Sequence, residues 1–360
     1  MRLLIVILNY RSASLCIDCL RSLVPEIAAN PGTKVVVNDA PSGDDSVPRI
    51  RQAMDDNGWH AWCTLVALSK NGGFAYGNNE AIRPALVEPN PPEFVLLLNP
   101  DTVVRPGAIA ALLSFMDANP KAGIAGSRLE HPDGTPQRSA FRFPTVLSEL
   151  EAGLRLGPVS KVLNRRVVAP PVPTGDQPTP TDWVAGASMI IRRQVFDAIG
   201  LLDEGYFMYF EEVDFCLRAA RAGWPCWYVP ASRVVHLVGQ SSGVTDVKQA
   251  NKRRPKYWFE SRRRFFTRNH GSIKTALADL LWMGGYATFR LRSRIQRKPD
   301  MDPANLLGDF ARNSVWFGER RESTAEAQRH GGQYGDRIPP CEHGQVVAAT
   351  AETGDPVGRM

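Results

Sequence analysis

Apolar runs recur along the first 120 positions in two alternating periods. Residues 3–8 form an unbroken apolar stretch, the pattern of a strand buried on both faces. Residues 12–23 switch to helical spacing through Leu15, Cys19, Leu20 and Leu23, with Ser12 or Ser14 placed to cap the helix. The alternation continues with a strand at 34–37 ending on Asn38-Asp39, a helix at 47–57, a short strand at 64–68 and a helix at 77–86. A fourth strand at 94–98 follows, then a helix at 106–119 with Pro106 near its first turn. Strands separated by helices of this length predict an α/β fold with a mostly parallel, Rossmann-like sheet and right-handed crossovers. Ligands of such sheets bind at the carboxyl ends of the strands, and the polar tips Asn9, Asn38-Asp39, Asn71 and Asp101 all fall there.

Beyond residue 122 the pattern loosens. Residues 123–128 open a second region, and Pro132-Asp133-Gly134 is a turn. Residues 157–181 hold six prolines and little periodicity, which predicts a mobile loop. Residues 183–193 read as one strand opening with Ala185-Gly186, 194–199 as a short helix, and 211–222 as a clearer helix stopped by Gly223. The stretch 318–360 is poor in large apolar residues and is expected to be disordered. The resulting organisation is a first domain over 1–245, with halves of about 1–125 and 126–245, a basic helical extension over 246–317, and the tail.

Composition changes this picture in two places. The chain has 360 residues and a formal net charge of +6, and the basic excess is concentrated at 252–268, KRRPKYWFESRRRFFTR, with Arg290, Arg292, Arg294, Arg297 and Lys298 continuing it. A basic segment interleaved with aromatics suits an anionic membrane surface, a solvated face or nucleic acid. The membrane surface is preferred here, and nucleic acid is the least favoured partner. The apolar stretch 277–291 is too short for a bilayer span and is interrupted by Asp279 and Arg290. Of the six cysteines, Cys16 and Cys19 form a C-x-x-C without a second half, so reduced thiols in a cytoplasmic protein are expected. The opening MRLLIVIL lacks a cleavage site and reads as a first strand instead of a signal peptide.

The candidate chemistry is acidic. Asp101 follows the best-defined strand, where a carboxylate can hold a metal-bound diphosphate. His236 lies just after an apolar run, with Gly239 near it. Glu211 and Glu212 begin a helix, where the macrodipole favours carboxylates. Two carboxylates there, with Asp214 one turn on, exceed what capping needs. The aromatics Tyr206, Phe207, Tyr209 and Phe210 before them can raise a carboxyl pKa towards that of a working base. The segment KNGGFAYGNN is no G-x-G-x-x-G fingerprint, but Gly72 and Gly73 would let the main chain approach a base or ribose, with Asn71 and Asn78 offering amide contacts beside Phe74.

The segments IVILNYRS, VVVNDAPSGDDS, NGGFAYGNN, LLLNPDT, DWVAGASMIIRR, GLLDEGYFMYFEEVDFCLR and VVHLVGQSS, in this order over roughly residues 1–270, resemble a family 2 glycosyltransferase of the GT-A fold, close to its rhamnosyltransferase-like branch. The resemblance implies an inverting, non-processive, Mg²⁺- or Mn²⁺-dependent transfer of a sugar, rhamnose or another hexose, from a nucleotide diphosphate donor to a hydroxyl of a glycan or lipid-linked acceptor in cell-envelope polysaccharide synthesis. It places Asn99-Pro100-Asp101 at the metal-binding D-x-D motif, Glu212 at the catalytic base and His236 at a further metal ligand. It aligns Asn38, Asp39 and Asn71 with nucleotide-contacting positions; Asn9, Tyr10, Gly73, Phe74, Asn78, Asn99 and Asp101 are expected to complete the donor side, and Trp183 and Gly186 to shape the acceptor side. Two departures stand out: Asn38-Asp39 replaces the usual Asp-Asn, and Glu212 replaces an Asp, which leaves Asp214 as a rival base. The Q-x-x-R-W signature of processive synthases is absent. A catalytically silent sugar-binding module of the same fold is the alternative. A pyrophosphorylase would need a glycine-rich basic loop near the start, which IVILNYRSAS does not supply.

Overall fold

The structure, a computed structural model, describes residues 1–173, 175–237 and 253–317. The tail expected over 318–360, Lys252, Gly239 and Cys341 lie outside the described residues. The first half alternates as the apolar periods require through β1 (Leu3–Asn9), α1 (Ala13–Ala29), β2 (Thr33–Asp39), α2 (Ser46–Asn57), β3 (Cys63–Ala67), α3 (Gly73–Leu86) and β4 (Phe94–Leu98); an additional short strand, β5 (Thr102–Val104), precedes α4 (Ala108–Ala118). The second half contains β6 (Ile124–Glu130), β7 (Ala140–Phe141), α5 (Val146–Leu154), α6 (Gly157–Val162), β8 (Thr179–Thr181), β9 (Trp183–Val184), β10 (Ser188–Arg192), α7 (Arg193–Ile199), α8 (Glu211–Arg221) and β11 (Cys226–His236). Three helices follow, α9 (Lys256–His270), α10 (Ser272–Ile295) and α11 (Leu306–Asn313).

Nine strands form one sheet in the order β3-β2-β1-β4-β10-β6-β11-β5, with β8 also on β11. Strands β5, β8 and β10 pair antiparallel, and the other six run in one direction, so the sheet is mixed but mostly parallel. Both faces are covered. Leu3, Ile5 and Ile7 of β1 pack beneath α1, α2 and α4, while Leu4 and Val6 point to the opposite cluster under α3, α7 and α8. That burial on both faces is why β1 carries no polar alternation.

Several expectations change in detail. The segment 183–193 is two strands: β9 pairs with β7, and the chain turns at Ala185–Ala187 before β10 enters the main sheet. The proline-rich stretch holds a short helix (α6), a 3-10 turn (Asn164–Arg166) and β8. Helix α3 starts at Gly73, four residues before the periodicity suggests, because the Asn71 side chain accepts the Gly73 N–H at 3.2 Å.

Four arginines of the basic segment, Arg253, Arg262, Arg264 and Arg268, are paired with carboxylates of the fold. Arg262 of α9 is buried between Glu149 of α5 and Asp279 of α10, each 2.7 Å away. Arg264 and Arg268 both pair with Asp203, and Arg253 donates to Asp309 at 2.6 Å. These contacts, with the Trp282–Phe310 stack at 4.0 Å, bind α5 and α9–α11 into one helical layer. A Cβ on Gly153 or Gly285 would sit 2.7–2.9 Å from the facing backbone, so these glycines set how closely α5 and α10 cross. Cys16, Cys19, Cys63, Cys216 and Cys226 are free and buried. Among the described residues no helix is long and apolar enough to cross a membrane.

Candidate active site

Strand direction brings the candidate residues to one edge. Strands β1, β2, β4 and β11 all end there, with Asn9, Asp39, Asn99-Pro100-Asp101 and His236 at their tips, while β10 begins there just after Gly186. Register makes the key pair. His236 lies opposite Thr102, the Leu237 N–H donates to the Asp101 carbonyl at 2.9 Å, and His236 Nε2 stands 3.6 Å from Asp101 Oδ1. Asp101 is buried and His236 partly open. Two donors about 2.1 Å from one small cation are at most about 4.2 Å apart, so this separation can be bridged. Among the described residues no three His, Cys, Asp or Glu side chains gather as a complete ligand set. The protein therefore offers one carboxylate and one imidazole, a set that suits a cation completed by diphosphate oxygens.

Residues absent from the sequence-based assignment hold this pair. Thr102 Oγ1 donates to the Asn99 carbonyl at 2.7 Å, and Gln137 Nε2 donates to the His236 carbonyl at 2.8 Å. The Asn99 N–H bonds the Ala187 carbonyl at 3.0 Å, tying the Asp101 turn to the residue after Gly186. A Cβ on Gly186 would lie 3.2 Å from the Phe74 ring and 4.0 Å from Glu212 Cβ. Gly186 is thus the floor between the start of α3 and the start of α8, and a side chain there would intrude between Phe74 and Glu212.

Glu212 and Glu211 open α8 behind an unusual cap. Tyr209 and Phe210 both adopt left-handed backbone, φ 70° and 69°, a costly conformation for aromatic residues that clusters at functional sites. Burial pushes both carboxyls up: Glu211 well above the usual range, with the neighbouring Glu212 charge adding to it, and Glu212 to about 7. One oxygen of each, Oε2, is buried without a hydrogen-bond partner. Glu211 is fully enclosed, whereas Glu212 remains partly open to solvent.

Asp214 has a different setting. It is fully buried and accepts from Arg218 Nε at 2.8 Å, Asn269 Nδ2 at 2.9 Å and Tyr206 Oη at 3.3 Å, tying α8 to α9. Asn38 and Asp39 also separate. Asn38 Nδ2 reaches under α3 to the Gly77 carbonyl at 2.6 Å, while Asp39, held by Asn9 Nδ2 at 2.6 Å, caps the strand edge. Burial raises the Asp39 carboxyl to about 6 against the opposing effect of that bond. Asn78 closes back on the Phe74 carbonyl at 2.9 Å within α3. Tyr10 follows Asn9 at the edge, and the Arg11 guanidinium lies 5.3 Å over its ring. Trp183 stacks on Phe141 at 4.2 Å and donates to the Arg142 carbonyl, so much of its indole is packing surface.

The loop between α7 and α8 completes the wall. The Phe74 N–H donates to the Phe207 carbonyl at 2.8 Å, and Gly73 has φ +85° with its Cβ position only 1.8 Å from that oxygen. Asn79 reads the Leu202 backbone in both directions, donating to its carbonyl at 2.9 Å and accepting its N–H at 3.3 Å. The run of paired amides in NGGFAYGNN was the available signal for this contact, but its partner could not be read locally.

A mostly parallel sheet curled against helices, with acidic and imidazole groups gathered at its carboxyl edge, defines a GT-A-type fold. The model of the family described as "Glycosyltransferase like family 2" matches residues 2–267, and the chain belongs to that family. It is 34% identical over 164 residues to the N-acetylglucosaminyl-diphospho-decaprenol L-rhamnosyltransferase of Mycobacterium tuberculosis, a match covering 43% of this chain and 50% of that protein. It is 30% identical over 173 residues to the rhamnosyltransferase WbbL of Escherichia coli, covering 46% and 61%. The chain thus spans about half the length of the first of these curated relatives. Among solved structures, the mannosyltransferase PcManGT of Pyrobaculum calidifontis, in complex with GDP-Man and Mn²⁺, superposes with a TM-score of 0.53 at 14% identity, over 93% of this chain and 87% of that one. GalNAc-T7 with UDP, GalNAc and Mn²⁺ gives 0.53 at 14% identity, over 94% and 58%. At that identity the likeness concerns the fold.

Proposed function

We propose that the chain is an inverting, metal-assisted glycosyltransferase that moves rhamnose from a nucleotide diphosphate to a hydroxyl of a glycan or lipid-linked acceptor, one residue per encounter, in building cell-envelope polysaccharide. The sugar follows the activities of the two relatives above. The acceptor oxygen attacks the anomeric carbon, the bond from that carbon to the diphosphate oxygen breaks, and the leaving diphosphate takes the electron pair. Glu212 accepts the hydroxyl proton. Asp101 and His236 would hold Mg²⁺ or Mn²⁺, which when bound neutralises charge on the departing diphosphate. Asp39, Asn9, Tyr10 and the Asn71–Phe74 turn line the donor side, and Gly186 leaves room for the acceptor in front of Glu212. Asp214 is set aside as base because its carboxylate is enclosed by three donors.

One observation carries this reading: the Asp101–His236 pair and a solvent-reachable Glu212, with an unpartnered buried oxygen, share one sheet edge across Gly186. Replacing Glu212→Gln keeps shape but removes the base, and turnover should fall by about 10²–10⁴-fold with donor binding retained. Unchanged turnover would remove Glu212 from the chemistry. Donor hydrolysis across a panel of nucleotide sugars, with and without Mn²⁺, identifies the sugar and base.

A further inference from the structure

Helix α10 is apolar on two sides but buried on one. Thr275, Ala278, Asp279, Trp282, Gly285, Tyr286 and Ser293 face the helical layer. Ile273, Leu277, Leu280, Leu291 and Ile295 stand exposed, Ile273 at 87% and Ile295 at 74%. At about 100° per residue these five, with exposed Gly284 and Ala287 between them, lie within about 80° of arc. They form one continuous stripe along a helix of about 36 Å. Trp316 donates its indole N–H to the Ala276 carbonyl at 3.0 Å, which sets half-exposed Trp316 and exposed Phe317 beside the start of the stripe. Exposed cations stand at its two ends, Lys274 at one and Arg294, Arg297 and Lys298 at the other.

We infer that this outer face of α10 is a docking surface for an anionic lipid bilayer, on which the helix lies flat with its stripe among the acyl chains and its terminal cations at the headgroups. An amphipathic helix with aromatic flanks and basic ends binds membrane interfaces in this way. Charge complementarity selects this occupant. A second copy packed antiparallel would bring Lys274 of one helix against the Arg294–Lys298 cluster of the other, and a parallel one would bring like clusters together. The inference deepens the reading of a lipid-linked acceptor and moves the membrane contact from 252–268, whose arginines largely face internal carboxylates, to α10.

Full-length protein mixed with phosphatidylcholine vesicles, with and without about a third phosphatidylglycerol, tests it by flotation. The anionic vesicles should carry the protein up. The triple change Leu277→Ser, Leu280→Ser and Leu291→Ser should lower partitioning at least tenfold, about what losing three apolar contacts costs. Changing Arg294→Gln, Arg297→Gln and Lys298→Gln should lower it about fivefold per charge, on anionic vesicles alone. Donor hydrolysis in vesicle-free buffer should be unchanged in both variants, so a failure of the surface is distinguishable from a failure of the transferase reading. The proposal is overturned if wild type stays unbound, if the triple change leaves flotation intact, or if sedimentation shows a dimer that the same change dissociates.

Discussion

Glu211 and Glu212 share the first turn of α8 but not an environment. Glu211 is enclosed, and burial with the neighbouring Glu212 charge holds its carboxyl well above the usual range, while burial raises Glu212 to about 7. A base must be deprotonated, so kcat/KM should rise with pH through about 7 and flatten above it. Each unit below that midpoint should cost about tenfold. A pH profile of Glu212→Gln lacking this limb assigns it. Stability runs the other way. A folded carboxyl raised above its unfolded value binds protons more tightly in the native state, so its contribution is full below the unfolded pKa, about 4.3, and is lost as pH rises. Thermal melts of wild type should therefore weaken as pH rises from about 4.3 towards about 7, and Glu212→Gln, which cannot ionise, should make that loss shallower.

At the scale of elements, one contact fixes the wall of the site and another the helical layer beside it. Gly73 passes beneath the Phe207 carbonyl where no Cβ fits, and its φ is one that side chains resist. Gly73→Ala should destabilise the fold by about 2 kcal/mol or more and lower kcat, because the displaced loop carries the strained cap of α8. Denaturant midpoints and turnover together check this. Arg262 joins α5, α9 and α10 through two buried carboxylates. Removing it as Arg262→Ala would strand both charges at a cost of about 3–5 kcal/mol, measurable by urea unfolding. Flatter loss would mean that water or a neighbouring cation replaces it.

For the molecule as a whole, the site exists because strands distant in sequence end at one edge. If Asp101 and His236 hold the cation as proposed, diphosphate oxygens of the donor would complete its shell, so metal and donor should bind cooperatively. Chelation by EDTA should abolish transfer, Mn²⁺ or Mg²⁺ should restore it, and Asp101→Asn should weaken metal affinity by at least about tenfold. Titration calorimetry of Mn²⁺ with and without nucleoside diphosphate reads this directly. Affinity for the metal that ignores the nucleotide would contradict a shared site.

Local sequence marked most strands and helices of the first half, since Leu3–Asn9 and Phe94–Leu98 are apolar on both faces and period alone reports such burial, but not β5, which is too short to carry a period. It also marked Asp101, Glu212 and His236, because a polar residue at the end of an apolar strand, or paired carboxylates after an aromatic run, stands out against its neighbours. Tertiary structure decided everything that depends on a partner. Asn38 faces Gly77 while Asp39 reaches the edge, Asp214 is enclosed by α9, Arg262 points inward, and α10 leaves one apolar stripe uncovered. Hydrophobic period records how each residue meets the nearest layer, whereas hydrogen-bond and charge partners come from segments tens of residues away, and no local pattern encodes them.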